Sequence, residues 1–540
     1  MFSSITAGAV RGIDSYLIQV ETDISDGLPI FSMVGYVGAE VREAGERVRV
    51  ALRNYGVRLP PKRITVNLAP ADIPKRGIVL DLPVCVGILS CMGILPEGAA
   101  DGVLITGELS LDGEIRPVRG VMSAAAEACR QGLHTCIVPE ANAAEGAALG
   151  GIRTVGVSDL SELVRYLCTP LEQRDSLIPP VRVDVEKLLR EHSARKTADF
   201  ASVHGQMEAK RILEIAAAGR HNVLLTGPPG TGKSMLASCL PGIMPRLTVP
   251  ECLEISEIYS VAGKLPEDTS LILERPFVAP HHNSTRAALL GGGRIPVPGM
   301  LSLSHLGVLF LDEFPELGRE QLELLREPLE DHEVRIARQG GTFRFPARVL
   351  MVAAQNPCPC GFYPDRNLCR CSPWQIARYH NRISGPLLDR IDLQAYVGRV
   401  DISQLMEPAG PGTETSADIQ KRVEMAAARQ RERLSGTGCY ANGDMDGELT
   451  EKYCLPDKEG TAFMRVLYDR LSLSARGYHR ILRTARTIAD LDESETIGVQ
   501  HLREAAQCRL RNIGADMTGT MTGKMTGKEE RKRIRKRAHF

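Results

Sequence analysis

One segment restricts this 540-residue chain more than any other: HNVLLTGPPGTGKSMLASCL, running from His221 to Leu240. Val223 to Thr226 is an apolar run that predicts a buried strand, and a helical pattern follows Ser234. Between them stands Gly227-Pro228-Pro229-Gly230-Thr231-Gly232-Lys233-Ser234, the G-x-x-x-x-G-K-[ST] spacing in the strand–loop–helix setting it requires. Glycines let the backbone wrap phosphates, and amides at the helix start meet their negative charge. Lys233 is expected to reach the β- and γ-phosphates of ATP, and Ser234 to ligate Mg2+.

About eighty residues on comes a partner segment, Gly307-Val308-Leu309-Phe310-Leu311-Asp312-Glu313. Its apolar residues predict a buried strand whose carboxyl end, where open α/β sheets bind ligands, carries the two acids. Asp312 is the expected magnesium partner and Glu313 the base that polarises the attacking water. A further apolar strand from Arg348 to Ala354 delivers Gln355 and Asn356 to the same edge, and Asn356 suits a polar sensor of the γ-phosphate or the water.

A chain of this length needs more than one core. Alternating strand-like and helical runs over 1–168 predict one α+β domain. A polar, proline-containing linker occupies 169–198, and strand–loop–helix units fill 199–400 as a parallel α/β core. Residues 401–515 read as a helical lid, and 516–540 as a basic tail without structure of its own. The tail carries eight basic residues against two acidic between Lys524 and Arg537, a run that suits a nonspecific phosphate contact or a solubilising end equally. Formal net charge is zero, so any surface for nucleic acid must be local. The amino-terminal residues lack the pattern of a secretory signal, and no run of eighteen uncharged apolar residues predicts a membrane span. A cytoplasmic protein is expected, and its 14 cysteines do not suggest a disulfide framework.

Taken in order, the two nucleotide motifs, HHNSTRAALLGGG between them, AAQNPCPCG and SGPLLDRIDL resemble the magnesium-chelatase-like AAA+ family, and within it the YifB/ComM group. The likeness runs from residue 1 to about 512. It implies an α/β fold: an AAA+ P-loop NTPase core with a helical lid, preceded by a further domain. It also implies an ATPase ring, usually a hexamer, acting on DNA in branch migration as incoming DNA recombines in natural transformation. In the family, and in the related minichromosome-maintenance helicases, the arginine of an L-L-x-R-[IF]-D motif reaches a neighbour's ATP; Arg390 in Leu387–Asp392 holds that place. Arg476 in Leu473-Ser474-Ala475-Arg476-Gly477 resembles the second sensor arginine, with Arg480 one turn further on as the other candidate. His204, Gly205 and Gln206 fall where AAA+ proteins place adenine contacts.

The amino-terminal domain resembles the proteolytic domain of Lon-type proteases in Ile105–Gly120 and in His134–Glu140. Those proteases use a Ser–Lys dyad. Here the serine-bearing segment, Pro74–Pro83, contains no serine, and the lysine position falls near Met122. An α+β, Lon-protease-like but non-proteolytic domain is expected, serving as a collar on the ring. A chelatase-type ATPase that remodels a protein or metal-insertion partner fits the core motifs as well, although no D-x-S-x-S motif follows the lid.

Two further patterns carry chemistry. Cys358-Pro-Cys360 and Cys369-Arg-Cys371 place two thiol pairs on one short loop, a set suited to a tetrahedral structural Zn2+ with no open position. Four free thiols in a reducing compartment are the alternative. Glu333–Phe345 reads as a hairpin turning at Gly340 and Gly341, with Arg338 and Arg344 as candidate DNA-phosphate contacts in a ring's pore. A structural hairpin with solvated arginines stays open on sequence alone.

Overall fold

The computed structural model describes residues 1–35, 38–71, 75, 78–192, 198–338, 341–400, 414–471 and 473–510. The expected basic tail, Gly340 and part of the Pro74–Pro83 segment lie outside the described residues.

Period-two alternation of apolar and polar residues makes β1 (Phe2–Arg11) and β2 (Asp14–Ser25) an antiparallel pair. β3 (Phe31–Val34), β4 (Arg63–Ala69), β5 (Val103–Ile105), β6 (Thr135–Pro139) and β7 (Arg153–Val157) complete a mixed sheet in the order β3-β4-β2-β1-β5-β6-β7. Helices cover both faces, so the central strands are apolar on both sides. In β6, Ile137 joins the core under α1 (Ala39–Asn54) and α2 (Asp81–Cys91), while Cys136 and Val138 join the one under α3 (Val121–Arg130).

The segment after this domain carries helical turns over Leu171–Leu177 and a helix at Val185–Glu191, and Val181 bonds to Thr154 at the sheet edge. Buried Arg174 ties it down by donating to the carbonyls of Leu167 and Thr169 at 2.9 and 3.0 Å.

The second domain begins with α4 (Met207–Gly219) and is built on five parallel strands. They are β8 (Val223–Thr226), β9 (Phe277–Val278), β10 (Val308–Leu311), then β13 (Leu350–Gln355) and β14 (Leu393–Tyr396) beyond a hairpin of β11 (Glu333–Arg338) and β12 (Gly341–Pro346). The sheet order is β9-β10-β13-β8-β14. Every residue of β8, β10 and β13 is buried, as expected of strands covered on both faces. α5 (Lys233–Cys239) leaves the phosphate loop. α6 (Val249–Ala262) is set by a capping box in which Thr248 and Glu251 satisfy each other's backbone amides. α7 (Arg326–Asp331) feeds the hairpin, and α8 (Pro373–His380) follows the cysteine loop.

The lid is built mainly on α9 (Ser416–Arg433), α10 (Lys458–Leu471), α11 (Ala475–Leu491) and α12 (Val499–Leu510), with a short helix at Gly447–Tyr453 between the first two. Ile481, Leu482, Ala485, Ile488 and Ala489 make one apolar stripe on α11, in the same buried cluster as Val223, Leu225 and Leu393 of the sheet. Lid and sheet thus share one core. The amino-terminal domain docks on α6, where Met122 packs with Cys252 and Ile255, and buried Glu145 accepts from Ser260 and from the Met122 amide. The position matched to the protease lysine is therefore an apolar contact between domains.

Candidate nucleotide site

Parallel strands send their carboxyl ends to one edge, and that edge gathers Lys233, Ser234, Asp312, Glu313 and Asn356. Ser234 Oγ donates to Asp312 Oδ2 at 3.1 Å. Lys233 is buried, and its Nζ donates to the carbonyls of Gly227 and Pro228, both at 2.8 Å, and to Asn356 Oδ1 at 3.3 Å. Burial holds the Lys233 ammonium below its ordinary pKa, while Asp312 pulls the other way. The amine is folded over its own loop, on acceptors that phosphate oxygens would replace. A hydroxyl and a carboxylate at hydrogen-bond distance are hard oxygen donors, the set magnesium takes beside a nucleotide. ATP and Mg2+ therefore fit the residues present.

Glu313 is one of few non-glycine residues in the left-handed region, with φ of 49°, and its amide bonds back to Asp312 Oδ1 at 2.8 Å. Such a backbone is costly away from glycine and gathers at functional sites. Its carboxylate faces His282, whose Nδ1 lies 3.6 Å from Glu313 Oε2. No role for His282 was read from the sequence. The signal available was the HHNSTR stretch itself, whose Thr285 caps the helix Arg286–Leu290 and so fixes the loop opposite Glu313.

Arg390 and Arg476 stand elsewhere. Arg390 lies three residues before β14, which pairs in parallel register with β8, Val223 against Leu393. It therefore sits at the amino edge, and Asn222, just before β8, donates to its carbonyl at 2.9 Å. One four-residue strand, about 13 Å long at 3.3 Å per residue, separates that edge from the phosphate loop. Arg390 is 10% exposed, ion-paired with Glu330, and donates to the carbonyls of Arg326 at 3.0 Å and Pro386 at 2.7 Å. Arg476 reaches the same Glu330 at 3.2 Å. Arg480, the other candidate, is engaged with Asp392 at 3.4 Å. Burial opposes ionisation of that carboxyl, but His221 and Arg480 hold it well below the usual carboxylate range. Of the two lid arginines, Arg476 is the accessible one, at 66% exposure.

The four cysteine sulfurs of 358, 360, 369 and 371 lie within 4.8 Å of one another. Cys358 Sγ is 3.3 Å from that of Cys360 and 3.7 Å from that of Cys369. Tetrahedral zinc with bonds of about 2.3 Å spaces its sulfurs about 3.8 Å apart, so the thiols fit such an ion. Burial opposes ionisation of Cys360, but the Phe362 amide and the neighbouring thiols outweigh it and bring the thiol down to about 6. The loop rests on the phosphate loop: a Cβ on Gly361, whose φ is 83°, would stand 2.6 Å from Pro229 Cδ.

In the hairpin, Val334, Ile336, Phe343 and Phe345 turn inward and Arg344 faces out opposite Arg335. Arg335, overlooked in the sequence, is held by Asp331 and Glu333. Arg338 has the inward parity of Val334 and Ile336 but is exposed at the hairpin's end, so Arg338 and Arg344 belong to different faces. The turn between β1 and β2 leans on this hairpin, with the Arg11 guanidinium 5.8 Å from the Phe343 ring. Gln206 Nε2 donates to the Gly398 carbonyl at 2.7 Å, which sets the His204–Gln206 turn beside the carboxyl end of β14.

Family models match the chain in three blocks: "Magnesium chelatase, subunit ChlI" over residues 199–405, "Subunit ChlI of Mg-chelatase" over 20–142, and "Magnesium chelatase, subunit ChlI C-terminal" over 413–509. The protein YifB of Escherichia coli is 39% identical over 507 residues, covering 94% of this chain and 97% of its own. The competence protein ComM of Haemophilus influenzae is 40% identical over 497 residues, covering 92% and 95%. The magnesium-chelatase 38 kDa subunit of Rhodobacter capsulatus is 24% identical over 356 residues, covering 60% of this chain and 91% of its own.

Proposed function

Because the chain belongs to the magnesium-chelatase-like AAA+ family, in its YifB/ComM group, we propose that it hydrolyses ATP as a ring, probed most directly as a hexamer, and acts on DNA in branch migration during recombination of incoming strands. The observation that carries this reading is the division of the hydrolytic groups between two edges of one sheet. Lys233, Ser234, Asp312, Glu313 and Asn356 stand at the carboxyl edge, and Arg390 and Arg476 at the other. A subunit so built completes its neighbour's site rather than its own. Closed rings arise from this kind of head-to-tail contact.

Within that site each residue has one task. Lys233 and the loop amides bind the β- and γ-phosphates, and Asn356 orients the terminal phosphate or the water. Glu313 accepts the water's proton, with His282 beside it to aim the carboxylate. Ser234 and Asp312 would hold magnesium, which neutralises charge gathering on the phosphoryl oxygens. Arg390 and Arg476 of the adjoining subunit meet the same charge. Cys358, Cys360, Cys369 and Cys371 would hold a structural zinc that stiffens the loop resting on Pro229. The exposed Arg344, with Arg338 at the hairpin's end, supports contact with DNA phosphates, and the amino-terminal domain braces the hairpin as a non-proteolytic collar. No helix among the described residues is long and apolar enough to cross a membrane, in keeping with a cytoplasmic site of action.

The test is the rate of ATP turnover against single-stranded, duplex and four-way DNA at rising salt. Stimulation by branched DNA that falls steeply with salt is expected. The chelatase subunit's likeness in the core favours a second reading, an ATPase remodelling a protein or metal-insertion partner. Indifference to every DNA, with stimulation by such a partner, selects it.

A further inference from the structure

Two arginines 86 positions apart, one before the last core strand and one in the lid, end on the two oxygens of one carboxylate. Glu330 Oε2 takes Arg390 and Glu330 Oε1 takes Arg476 at 3.2 Å. We propose that Glu330 is a clasp that competes with the neighbouring subunit's terminal phosphate for both arginines, and so couples that phosphate to the position of the β11–β12 hairpin. This rests on the shared-site reading above.

A carboxylate offers guanidinium groups the same paired anionic oxygens that a phosphate does. Exchange from one to the other keeps each arginine paired with an anion throughout, which matters most for Arg390, the more buried of the two. Glu330 is 50% exposed. Ion pairs this open to water hold weakly, so a more highly charged phosphate displaces them.

The mechanical link follows from where Glu330 stands. It is the penultimate residue of α7, and the hairpin begins two residues beyond that helix. His332 makes the corner with φ of 57°, and its carbonyl accepts from the Ala347 amide at 2.8 Å, closing the hairpin's base. Arg335 of β11 pairs with Asp331 of α7 at 3.2 Å. α7 is thus fastened to β11 through Arg335 and joined at the His332 corner to the end of the hairpin, while Glu330 fastens it to Arg390 and, through Arg476, to the lid. Loss of the clasp unties the carboxyl end of α7 from Arg390 and from the lid, leaving the Arg390 bond to the Arg326 carbonyl at its start and the hold on the hairpin.

The experiment uses the full-length protein and two readouts. Steady-state ATP turnover without DNA is measured for the unaltered chain, Glu330→Gln and Arg390→Ala. Hydrogen exchange across residues 333–346 is followed with and without ATP in a Glu313→Gln background, in the presence and absence of Glu330→Gln. The clasp predicts that Glu330→Gln raises kcat about three- to fivefold, the scale of one half-exposed ion pair, with KM unchanged. It also predicts that ATP alters hairpin exchange only where Glu330 is kept. Turnover at or below that of the unaltered chain, or an equal response of the hairpin to ATP in both backgrounds, overturns it. If Arg390→Ala is inactive in that case, the shared site stands without the clasp. If Arg390→Ala keeps full turnover, the shared-site reading falls and the clasp falls with it. Should Glu330→Gln melt early, Glu330→Asp, whose shorter arm spans the two arginines poorly, is judged by the same criteria.

Discussion

Lys233 and Glu313 stand at the same edge of the sheet but fail differently when removed. Lys233→Ala strips the only ammonium from the phosphate loop and takes one donor from each of the carbonyls of Gly227 and Pro228. ATP binding, followed by titration with a fluorescent analogue, should fall below detection. Glu313→Gln keeps the shape and loses the proton acceptor, so binding persists while turnover drops about 10²- to 10⁴-fold, the range for a lost general base. Arg390→Ala should lower turnover about 10³-fold or more. On the proposed shared site the loss falls in the neighbour, so mixing Arg390→Ala with Glu313→Gln subunits should restore part of the rate. Mixtures no faster than either parent would remove the argument for a shared site.

Elements carry constraints of their own. β8 and the residues after β14 approach so closely at Gly227 that a Cβ there would stand 2.1 Å from the Val397 carbonyl oxygen. Gly227→Ala should therefore lower unfolding free energy by about 2–3 kcal/mol, the cost of forced overpacking, visible as an earlier urea midpoint. The proposed zinc would set the shape of the cysteine loop. Purified protein should contain one zinc per chain, and replacing Cys358 and Cys371 with serine should remove it and weaken ATP binding through Pro229. Beneath the hairpin, His305 accepts from the Arg348 amide at 3.0 Å through Nδ1 and donates from Nε2 to Glu254 at 3.0 Å. Burial holds its pKa below the ordinary 6.5, against the pull of Glu254. The unfolded chain thus binds this proton more readily, so the contribution is complete above about pH 6.5 and is lost as pH falls below it. Urea midpoints between pH 7.5 and 5.5 should show that loss, reduced in a His305→Asn variant.

At the scale of the whole molecule the domains are braced rather than strung together. The amino-terminal domain meets α6 through Met122 and Glu145 and meets the hairpin through Arg11. Removal of residues 1–168 should thus expose Cys252 and Ile255 of α6 and impair folding, more than it would change the chemistry of the nucleotide site. Loss of soluble expression in that truncation, with ATP binding intact in whatever folds, is the expected outcome.

Much of the nucleotide site was legible in the residues, because its parts follow directly from strands. The runs ending at Thr226, Leu311 and Gln355 are apolar throughout, and an apolar strand with polar residues at its carboxyl end has one natural place in a parallel sheet. His282 was not legible, since its nearness to Glu313 depends on a loop packed from another part of the chain. Nor was the hairpin's facing: Arg338 and Arg344 alternate with apolar residues alike, but the register Arg338 to Gly341 puts them on different sides. The amino acid order by itself determined the phosphate loop, the placing of Asp312, Glu313 and Asn356 beside it, and the clustered cysteines, because each is a local pattern read within one strand and its loop. The tertiary structure alone decided that Arg390 and Arg476 meet on Glu330 at the far edge of the sheet, because strand order and lid packing are agreements among residues distant in the chain.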